Sequence, residues 1–469
     1  MAWADADSAR NSGAAWLIKQ QRGDGSWANA YGELAVQSTA AAVLALKNSG
    51  LSKSPTFGTA AAWLANADAD SIDSVARQTE ALASAGLNAS AQASSDRLYG
   101  LRSQSTLATW GGYGGSGVDF LDTALGLTAL RLGDSTYSAK SLVASGNVLL
   151  GAFCELATNR VSVASGKQAW PVTKAAANQS SGQGRPSVMS TALVLTELRG
   201  MQKAVGFASA TCNGTAYTFA ALQSEAQAWL LDQQNAGGGF GEQRTDGSKG
   251  TSSVLVTALV YRALNTQTTP PQPTTGNAQT WLLAQQDNVS GSWRNDPLVT
   301  AQVLSVLPAA AGIHLVDTDR DGITNTVEAA LGSNQAIADA RNQIGTPTLA
   351  VTGANTTAFA LSATTGQAFS YTLGGSAPFT LKSGNLPPGL TVNPSTGLIS
   401  GTPTQTGSYS FDYQLSTGLV IGRIDISNPV VVASSGDGDA PLPEWALAAL
   451  AVALLGIGQR KRKSGQSAV

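Results

Sequence analysis

Histidine and cysteine are scarce in this sequence. Its 469 residues include one histidine, His314, and two cysteines, Cys154 and Cys212. This scarcity excludes a histidine-based catalytic triad within the first 310 residues and any metal cluster built from histidine and cysteine ligands. The two cysteines fit either a disulfide bond in an oxidising compartment or a pair of buried thiols.

Charge is sparse as well. Charged residues make up 12% of the chain, the net charge is −2, and no basic tract precedes the last ten residues. Nucleic acid is therefore not expected as a partner, because its recognition requires a basic face. The hydrophobic content of 43% and the length indicate a folded protein of two or three domains.

One pattern of tryptophan, glutamine and glycine occurs three times, and its first and last aromatic residues lie 11, 11 and 12 positions apart. The copies are Trp16, Gln20, Gln21, Gly25 and Trp27; Trp229, Gln233, Gln234, Gly239 and Phe240; and Trp281, Gln285, Gln286, Gly291 and Trp293. Tryptophan and glutamine four residues apart share a helix face, and the glycine loop turns the chain back. The first 310 residues are thus predicted to be an array of helical hairpins.

The second helix of each hairpin is marked by a Thr-Ala pair with apolar residues four and seven positions after the threonine. These pairs begin at Thr39, Thr123, Thr191, Thr257 and Thr300, and a degenerate copy at Thr79 makes six. The spacing predicts one apolar stripe per helix. Asp or Ser, which cap helix N-termini, lies four positions before four of the six threonines, at Asp119, Ser187, Ser253 and Asp296.

Residues 1–310 resemble the prenyltransferase and squalene-oxidase repeat superfamily. Its Gln-Trp motif is matched well at Trp16, Trp229 and Trp281, and partly around Trp63, Trp110 and Trp170. The resemblance implies an all-α (α/α)6 toroid with six inner and six outer helices, as in terpene cyclases, prenyltransferase β subunits and thioester domains. Such a fold does not fix a function.

The motifs that carry the chemistry of this superfamily are missing from the chain. Neither the Asp-x-Asp-Asp acid of class II terpene cyclases nor the Asp-Asp-x-x-Asp metal site of class I enzymes occurs. In place of the Cys-Gly-Glu-Gln thioester motif the chain has Phe240, Gly241, Glu242 and Gln243. The resemblance therefore favours a toroid that binds without catalysis over a divergent enzyme.

The parallel inner helices place all their N-termini at one mouth of the toroid, where a ligand pocket is expected. Its candidate lining residues are Glu33, Trp110, Tyr113, Asp119, Asp122 and Asp296. The alternative is that these carboxylates only cap helices and that the aromatic residues pack between repeats.

A calcium loop is predicted where the repeats end. Its ligands, at loop positions 1, 3, 5, 7, 9 and 12, are Asp317, Asp319, Asp321, the carbonyl of Ile323, Asn325 and Glu328. Gly322 stands at position 6, where the loop needs its sharp turn. The loop resembles thrombospondin type 3 and dockerin-like linkers, so we expect calcium to stiffen the segment 311–345. A charged, solvated linker is the alternative.

From about residue 346 the pattern changes to short alternating strands that predict an antiparallel β-sandwich over residues 346–433. The run from Leu386 to Pro403, followed by Gly407-Ser-Tyr-Ser-Phe, resembles the Ig-like, or dystroglycan-type cadherin-like, modules of bacterial surface proteins. That resemblance implies a spacer or adhesive module.

A C-terminal anchor is predicted over residues 441–469, after a flexible linker at 434–440. The motif Pro441, Pro443, Glu444 and Trp445 precedes an apolar run and four basic residues, 460–463. As a helix, residues 445–458 span about 21 Å, which snorkelling basic side chains could extend towards the ~30 Å membrane core. The basic end is expected in the cytoplasm.

The anchor resembles the PEP-CTERM and IPTL-CTERM sorting tails, which implies export, a bacterial membrane and a processing enzyme that removes the tail. The first residues lack the basic start and apolar core of a signal peptide. We therefore expect the chain to begin at a misassigned start or after signal removal.

Together these features predict an exported, membrane-anchored surface protein whose toroid binds a ligand or protein partner, with calcium as its cofactor. The alternative is a divergent terpene cyclase or prenyltransferase-like enzyme that acts on a hydrophobic substrate in the toroid cavity.

Overall fold

The computed structural model describes residues 5–141, 147–174, 184–318, 321–333, 335, 356–373, 377–384, 386–415 and 418–427. The predicted linker at 434–440 and the sorting tail, with Pro441, Pro443, Glu444 and Trp445, lie outside these residues. Within the described ranges, no helix is both long enough and apolar enough to cross a membrane.

In the described residues before 310, twelve α-helices alternate between an outer and an inner position. The outer helices are α1 (Ala6–Lys19), α3 (Pro55–Asn66), α5 (Asn88–Gly100), α7 (Val148–Thr158), α9 (Phe219–Asp232) and α11 (Thr274–Ala284). The inner helices are α2 (Ala35–Asn48), α4 (Ile72–Ser84), α6 (Phe120–Gly133), α8 (Val188–Ala204), α10 (Val254–Asn265) and α12 (Pro297–Val306). Each inner helix packs on the next, and α12 packs on α2. The inner helices therefore form a closed ring of six.

In five repeats a hydrogen-bonded contact, called the aromatic clasp below, joins the loop to the inner helix. In each clasp a threonine hydroxyl accepts a hydrogen bond from the backbone N–H of a fully buried aromatic residue, over 2.9–3.0 Å. The pairs are Thr39 with Trp27, Thr123 with Trp110, Thr191 with Trp170, Thr257 with Phe240, and Thr300 with Trp293. The four indole N–H groups also donate to a leucine carbonyl of the preceding outer helix. The clasp thus satisfies buried polar groups at the centre of these five hairpins.

The second glutamine of each Gln-Gln pair ties neighbouring outer helices together. The amide of Gln21 donates to the Thr56 carbonyl over 2.9 Å, and that of Gln234 donates to the Thr274 carbonyl over 2.9 Å. Gln286 donates to the Ala9 carbonyl over 2.8 Å and so links the last repeat to the first. This contact explains why glutamine recurs after these tryptophans.

Two β-hairpins lie in the stretched middle of the array. Strand β1 (Val161–Ala164) pairs with β2 (Lys167–Ala169), and β3 (Ser209–Cys212) pairs with β4 (Thr215–Thr218), both antiparallel. A disulfide joins Cys154 in α7 to Cys212 in β3, with 5.3 Å between their Cα atoms. The disulfide fastens the second hairpin to an outer helix.

The segment of the predicted calcium loop packs on the helical region. It contains a 3₁₀-helix (Gly312–Leu315) and helix α13 (Asn325–Leu331), which packs on α1. Ile323 and Val327 are fully buried in the same hydrophobic core as the toroid helices. This part of the predicted linker is therefore an extension of the helical core.

The described part of the C-terminal β region contains seven strands and a hydrophobic core of its own. They are β5 (Thr356–Thr364), β6 (Phe369–Thr372), β7 (Thr380–Gly384), β8 (Leu390–Val392), β9 (Leu398–Gly401), β10 (Gly407–Leu415) and β11 (Gly418–Ser427). They make a four-stranded sheet in the order β5-β11-β10-β7 and a three-stranded sheet in the order β6-β9-β8. The antiparallel prediction is corrected at one place: β5, at the edge of the sheet, pairs with β11 in parallel, whereas the other described strand pairs are antiparallel.

Candidate ligand pocket

The second repeat lacks the aromatic clasp. No aromatic residue lies between Leu64 and Thr79, and the Thr79 hydroxyl bonds instead to the Val75 carbonyl and to Ser94. The amide of Gln78 donates to the carbonyl of Leu64 over 2.7 Å. Leu64 follows Trp63 as Leu17 follows Trp16, so an amide here occupies the place that an indole takes in the first repeat.

A pocket of about 830 Å³ lies at this repeat. Its walls come from the loops of three successive repeats, which supply Asp24, then Asp68 and Asp70, and then Tyr113. Trp63 on α3 and the first residues of α2 and α4 complete the lining. The short second loop therefore leaves a concave space between its longer neighbours.

The lining carries negative charge. Three of its side chains are aspartates and none is lysine or arginine. Asp24 accepts hydrogen bonds from the backbone N–H and the hydroxyl of Ser26, over 2.9 and 2.7 Å. Asp68 is 95% exposed, and the Arg97 guanidinium lies 3.7 Å from it. An exposed pair at this distance is weak, so the pocket stays acidic.

A second pair of carboxylates lies at the first turn of α6. Asp119 caps this helix by accepting from the N–H groups of Leu121 and Asp122. Burial raises the pKa of Asp119 to about 6, against the opposing effect of these hydrogen bonds. Burial also raises the pKa of Asp122 to about 8, and the carboxylates of Asp119 and Asp73 add to the rise. Asp122 is thus a buried acid that holds its proton near neutral pH.

Ion pairs occupy the interior of the ring. Glu80 on α4 and Arg262 on α10 are 2.9 Å apart, although these two helices stand on opposite sides of the ring. Burial is the largest effect on Glu80 and would raise its pKa, but the guanidinium groups of Arg262, Arg77 and Arg131 together outweigh it and lower that pKa. Glu197, fully buried, pairs with Arg131 over 2.8 Å. The interior of the ring therefore contains paired charged side chains, unlike an apolar chamber.

The structure separates the six predicted pocket residues. Tyr113 lines the pocket, where it is 61% exposed. Trp110 is fully buried in the clasp of the third repeat and Asp119 caps α6, so neither lines this pocket. Asp122 is buried and does not line the pocket.

The other two predicted residues lie in the loops of the first and last repeats. Asp296 caps α12 and also accepts from the Ala30 N–H over 3.0 Å, across the ring closure. Glu33 is exposed in the loop before α2. The sequence analysis missed four residues that line the pocket, namely Asp24, Trp63, Asp68 and Asp70. One signal for them existed, because the second repeat lacks the aromatic residue that precedes the threonine in the other repeats.

The predicted calcium loop has part of the required backbone. Gly322 adopts φ 91° and donates to Asp317 over 3.0 Å, as the turn at position 6 requires. Asp321 is buried, and its carboxylate accepts from the Ile323 N–H over 2.8 Å.

The described side chains of the loop have the following positions. Asn325 accepts from the Thr318 N–H over 2.9 Å, Glu328 is buried in the first turn of α13, and Asp319 lies outside the described residues. Among the residues that the structure describes, no three His, Cys, Asp or Glu side chains gather closely enough to share a metal ion. The turn at Gly322 and the oxygen donors of the described residues are of the kind that calcium takes.

Comparison with known proteins identifies the C-terminal module. A family profile described as "Putative Ig domain" matches residues 341–421. This match confirms an Ig-like domain in the predicted region, beginning five positions before the predicted boundary. No curated protein sequence matches the chain.

Two similar solved structures are of the type II terpene cyclase MstE from Scytonema. The apo enzyme is 16% identical, with 64% of this chain and 97% of that chain covered and a TM-score of 0.42. A variant in complex with its substrate geranylgeranyl dihydroxybenzoate is 15% identical, covering 64% and 96%, with the same TM-score of 0.42. The closed ring described above rests on the helix contacts of this chain itself.

Proposed function

We propose that this protein is an exported, membrane-anchored modular surface protein whose toroid binds a ligand or protein partner without catalysis. The pocket at the second repeat carries the proposal. A concave space lined by aromatic and polar side chains, opened where a regular repeat departs from its pattern, is typical of a binding site.

Export is supported by three features. The disulfide between Cys154 and Cys212 is of a kind that persists in oxidising compartments. The Ig-like domain is of a class used as a spacer in surface proteins, as the sequence resemblance implies. The sorting motif from Pro441 to Trp445 and the basic residues after it rest on sequence alone, and they favour a bacterial membrane anchor removed by a processing enzyme.

Calcium is proposed to stiffen the segment that packs on α1. Asp317, Asp319, Asp321, Asn325 and Glu328, with the Ile323 carbonyl, would hold the ion. A bound ion would compensate four carboxylates in twelve residues and draw the loop together around Gly322. Because Ile323 and Val327 are buried in the helical core, this stiffening would extend to the toroid.

Chelation tests the calcium proposal on the full chain. We expect a chelator to lower the melting temperature and to expose cleavage sites for a protease within residues 311–345. Glu328→Gln should reproduce both effects, whereas Asp246→Asn, an exposed carboxylate elsewhere, should not. Identical cleavage patterns with and without chelator would reject the proposal.

Blocking the pocket tests ligand binding. Ala62 is an exposed lining residue on α3, so Ala62→Trp fills the pocket without entering the core. Ala221, exposed on α9, gives the matched control Ala221→Trp. A ligand library screened by native mass spectrometry should yield binders to the natural protein and the control that are lost in Ala62→Trp. Binders retained equally by all three proteins would show that the pocket is not the site.

A second candidate function is suggested by Asp122. A buried carboxyl that keeps its proton near neutral pH can act as a general acid towards an alkene, as a divergent terpene cyclase would require. The ion pair between Glu80 and Arg262 inside the ring weighs against a hydrophobic substrate there. Formation of cyclised product from a prenyl substrate, lost in Asp122→Asn but kept in Ala62→Trp, would favour this enzyme over the binding protein.

A further inference from the structure

The pocket at the second repeat combines carboxylates with aromatic surface. We propose that it binds an organic cation, an alkylammonium or guanidinium group carried on an aliphatic stem. This inference rests on the proposed function, since it names the ligand chemistry of the same pocket.

The charge of the pocket lining indicates the charge of the ligand. The lining contains the carboxylates of Asp24, Asp68 and Asp70, and no lysine or arginine. The N-terminal ends of α2 and α4 also face the pocket, and each contributes roughly half a positive charge. Three negative charges against about one positive charge leave the pocket attractive to cations.

The spacing of the carboxylates favours an organic cation over a metal ion. In the part of the chain that the structure describes, no three acidic side chains come close enough to share a metal. The three aspartates of the pocket are therefore spread along its walls. A compact divalent ion needs several oxygens at once, whereas an elongated cation can reach separate carboxylates with separate N–H groups.

Aromatic side chains supply a surface for the stem and the charge. Trp63 is half-buried against the helical core, so one part of its indole remains open to the pocket. Tyr113 is 61% exposed on the opposite loop. Ammonium and guanidinium groups are attracted to such ring faces, and their methylene stems pack along them.

Two sources present this chemistry, namely a free polyamine and the lysine or arginine side chains of a partner polypeptide. Titration calorimetry on the full chain at constant ionic strength separates them. Spermidine represents the free cation, and a short acetylated, amidated Gly-Lys-Gly-Arg-Gly peptide represents the side chains. Binding of spermidine alone assigns a free polyamine, and tighter binding of the peptide assigns a polypeptide partner.

Charge-neutral variants locate the site. We expect the double variant Asp68→Asn, Asp70→Asn to bind the cation about tenfold more weakly. Asp96→Asn, an exposed carboxylate on α5 outside the pocket, should change the affinity less than about twofold. Tyr113→Ser, at an exposed position that cannot disturb the core, should weaken binding several-fold and serves as an independent variant.

Three results would overturn the inference: no binding of either cation, equal binding by the double variant, or preferential binding of inorganic phosphate. The Ala62→Trp variant separates this failure from failure of the proposed function. If neutral or anionic ligands bind the natural protein and not Ala62→Trp, the pocket remains a binding site and only the cation assignment fails. If no ligand distinguishes those two proteins, both fail.

Discussion

The second and third repeats show two outcomes of the same helical hairpin. In the third repeat the Trp110 indole fills the space between α5 and α6 and donates to the Leu98 carbonyl, while the Thr123 hydroxyl accepts from the Trp110 backbone N–H. In the second repeat the Gln78 amide takes over the equivalent leucine carbonyl, and no ring fills the loop. The loop of the third repeat contributes a buried ring to the core, whereas the loop of the second repeat leaves a concave space at the surface.

This difference supports the proposal that the second repeat is the binding site. A closed ring of six hairpins tolerates one hairpin without a clasp, because neighbouring repeats hold it on both sides. Residues freed from packing can then be chosen for binding. Sites of function are expected where a regular pattern is broken and the break is compensated elsewhere, as Gln78 compensates here.

The largest expected effect comes from removing the two rings being compared. Trp110→Ala should lower the free energy of unfolding by about 3–5 kcal/mol, because a fully buried ring and its hydrogen bonds are lost. Trp63→Ala removes a half-buried ring and should cost about 1–2 kcal/mol. Denaturant unfolding of both variants measures the difference. Equal losses would mean that Trp63 is a core residue like the clasp rings.

The next effect concerns the residue that precedes the threonine, Gln78 in the second repeat and Asp122 in the third. The folded protein holds the Asp122 proton up to about pH 8, whereas the unfolded chain releases it near about pH 4. Between these values the folded state binds more protons, so its stability falls as pH rises, by up to about 1.4 kcal/mol per pH unit.

Asp122→Asn makes the third repeat resemble the neutral second repeat and should remove this part of the slope. The variant should therefore gain stability relative to the natural protein from pH 5 to pH 8. Thermal melts at several pH values measure the gain, with Asp96→Asn as the exposed control. A variant that kept the natural slope would show that Asp122 is ionised in the folded state.

The smallest effect concerns the threonines themselves. Thr123→Val leaves the buried N–H of Trp110 without its acceptor and should cost about 1–2 kcal/mol, although the Trp110 carbonyl still accepts from the Asp119 N–H. Thr79→Val loses only the bonds to Val75 and Ser94 and should cost less than about 1 kcal/mol. Equal costs by denaturant unfolding would remove the distinction between a clasp and its degenerate copy.

Much of the helical architecture follows from the sequence. The recurring Trp-Gln-Gly-aromatic spacing predicts the hairpins, and the Thr-Ala register predicts the inner helices. Asp119, Ser187, Ser253 and Asp296 are the N-cap residues of their helices, as predicted. These features are local, so one sequence suffices to find them.

The pocket could not be predicted in the same way. Its walls come from three loops, and its defining feature is a residue that is missing. Trp110 and Asp119 were predicted to line the mouth of the toroid. Both instead take part in the local structure around α6, Trp110 in the clasp and Asp119 as the helix cap. Of the six predicted residues only Tyr113, exposed in its glycine-rich loop, lines the pocket.

Contacts between distant repeats could not be predicted from the sequence either. Glu80 and Arg262 are 182 residues apart in sequence, and only closure of the ring brings them together. The burial of Ile323 and Val327 in the helical core likewise depends on where α13 meets α1. Neither contact has a signal in the spacing of the residues concerned.

Fluorine NMR of the full chain labelled with fluorotryptophan tests the central claim, that the repeat without a clasp is the site of binding. On titration with spermidine, the resonance assigned through Trp63→Phe should shift in a saturable manner. The resonances of Trp27, Trp110, Trp170 and Trp293, buried in their clasps, should stay unchanged. A saturable shift of the clasp resonances, with Trp63 unmoved, would contradict the account.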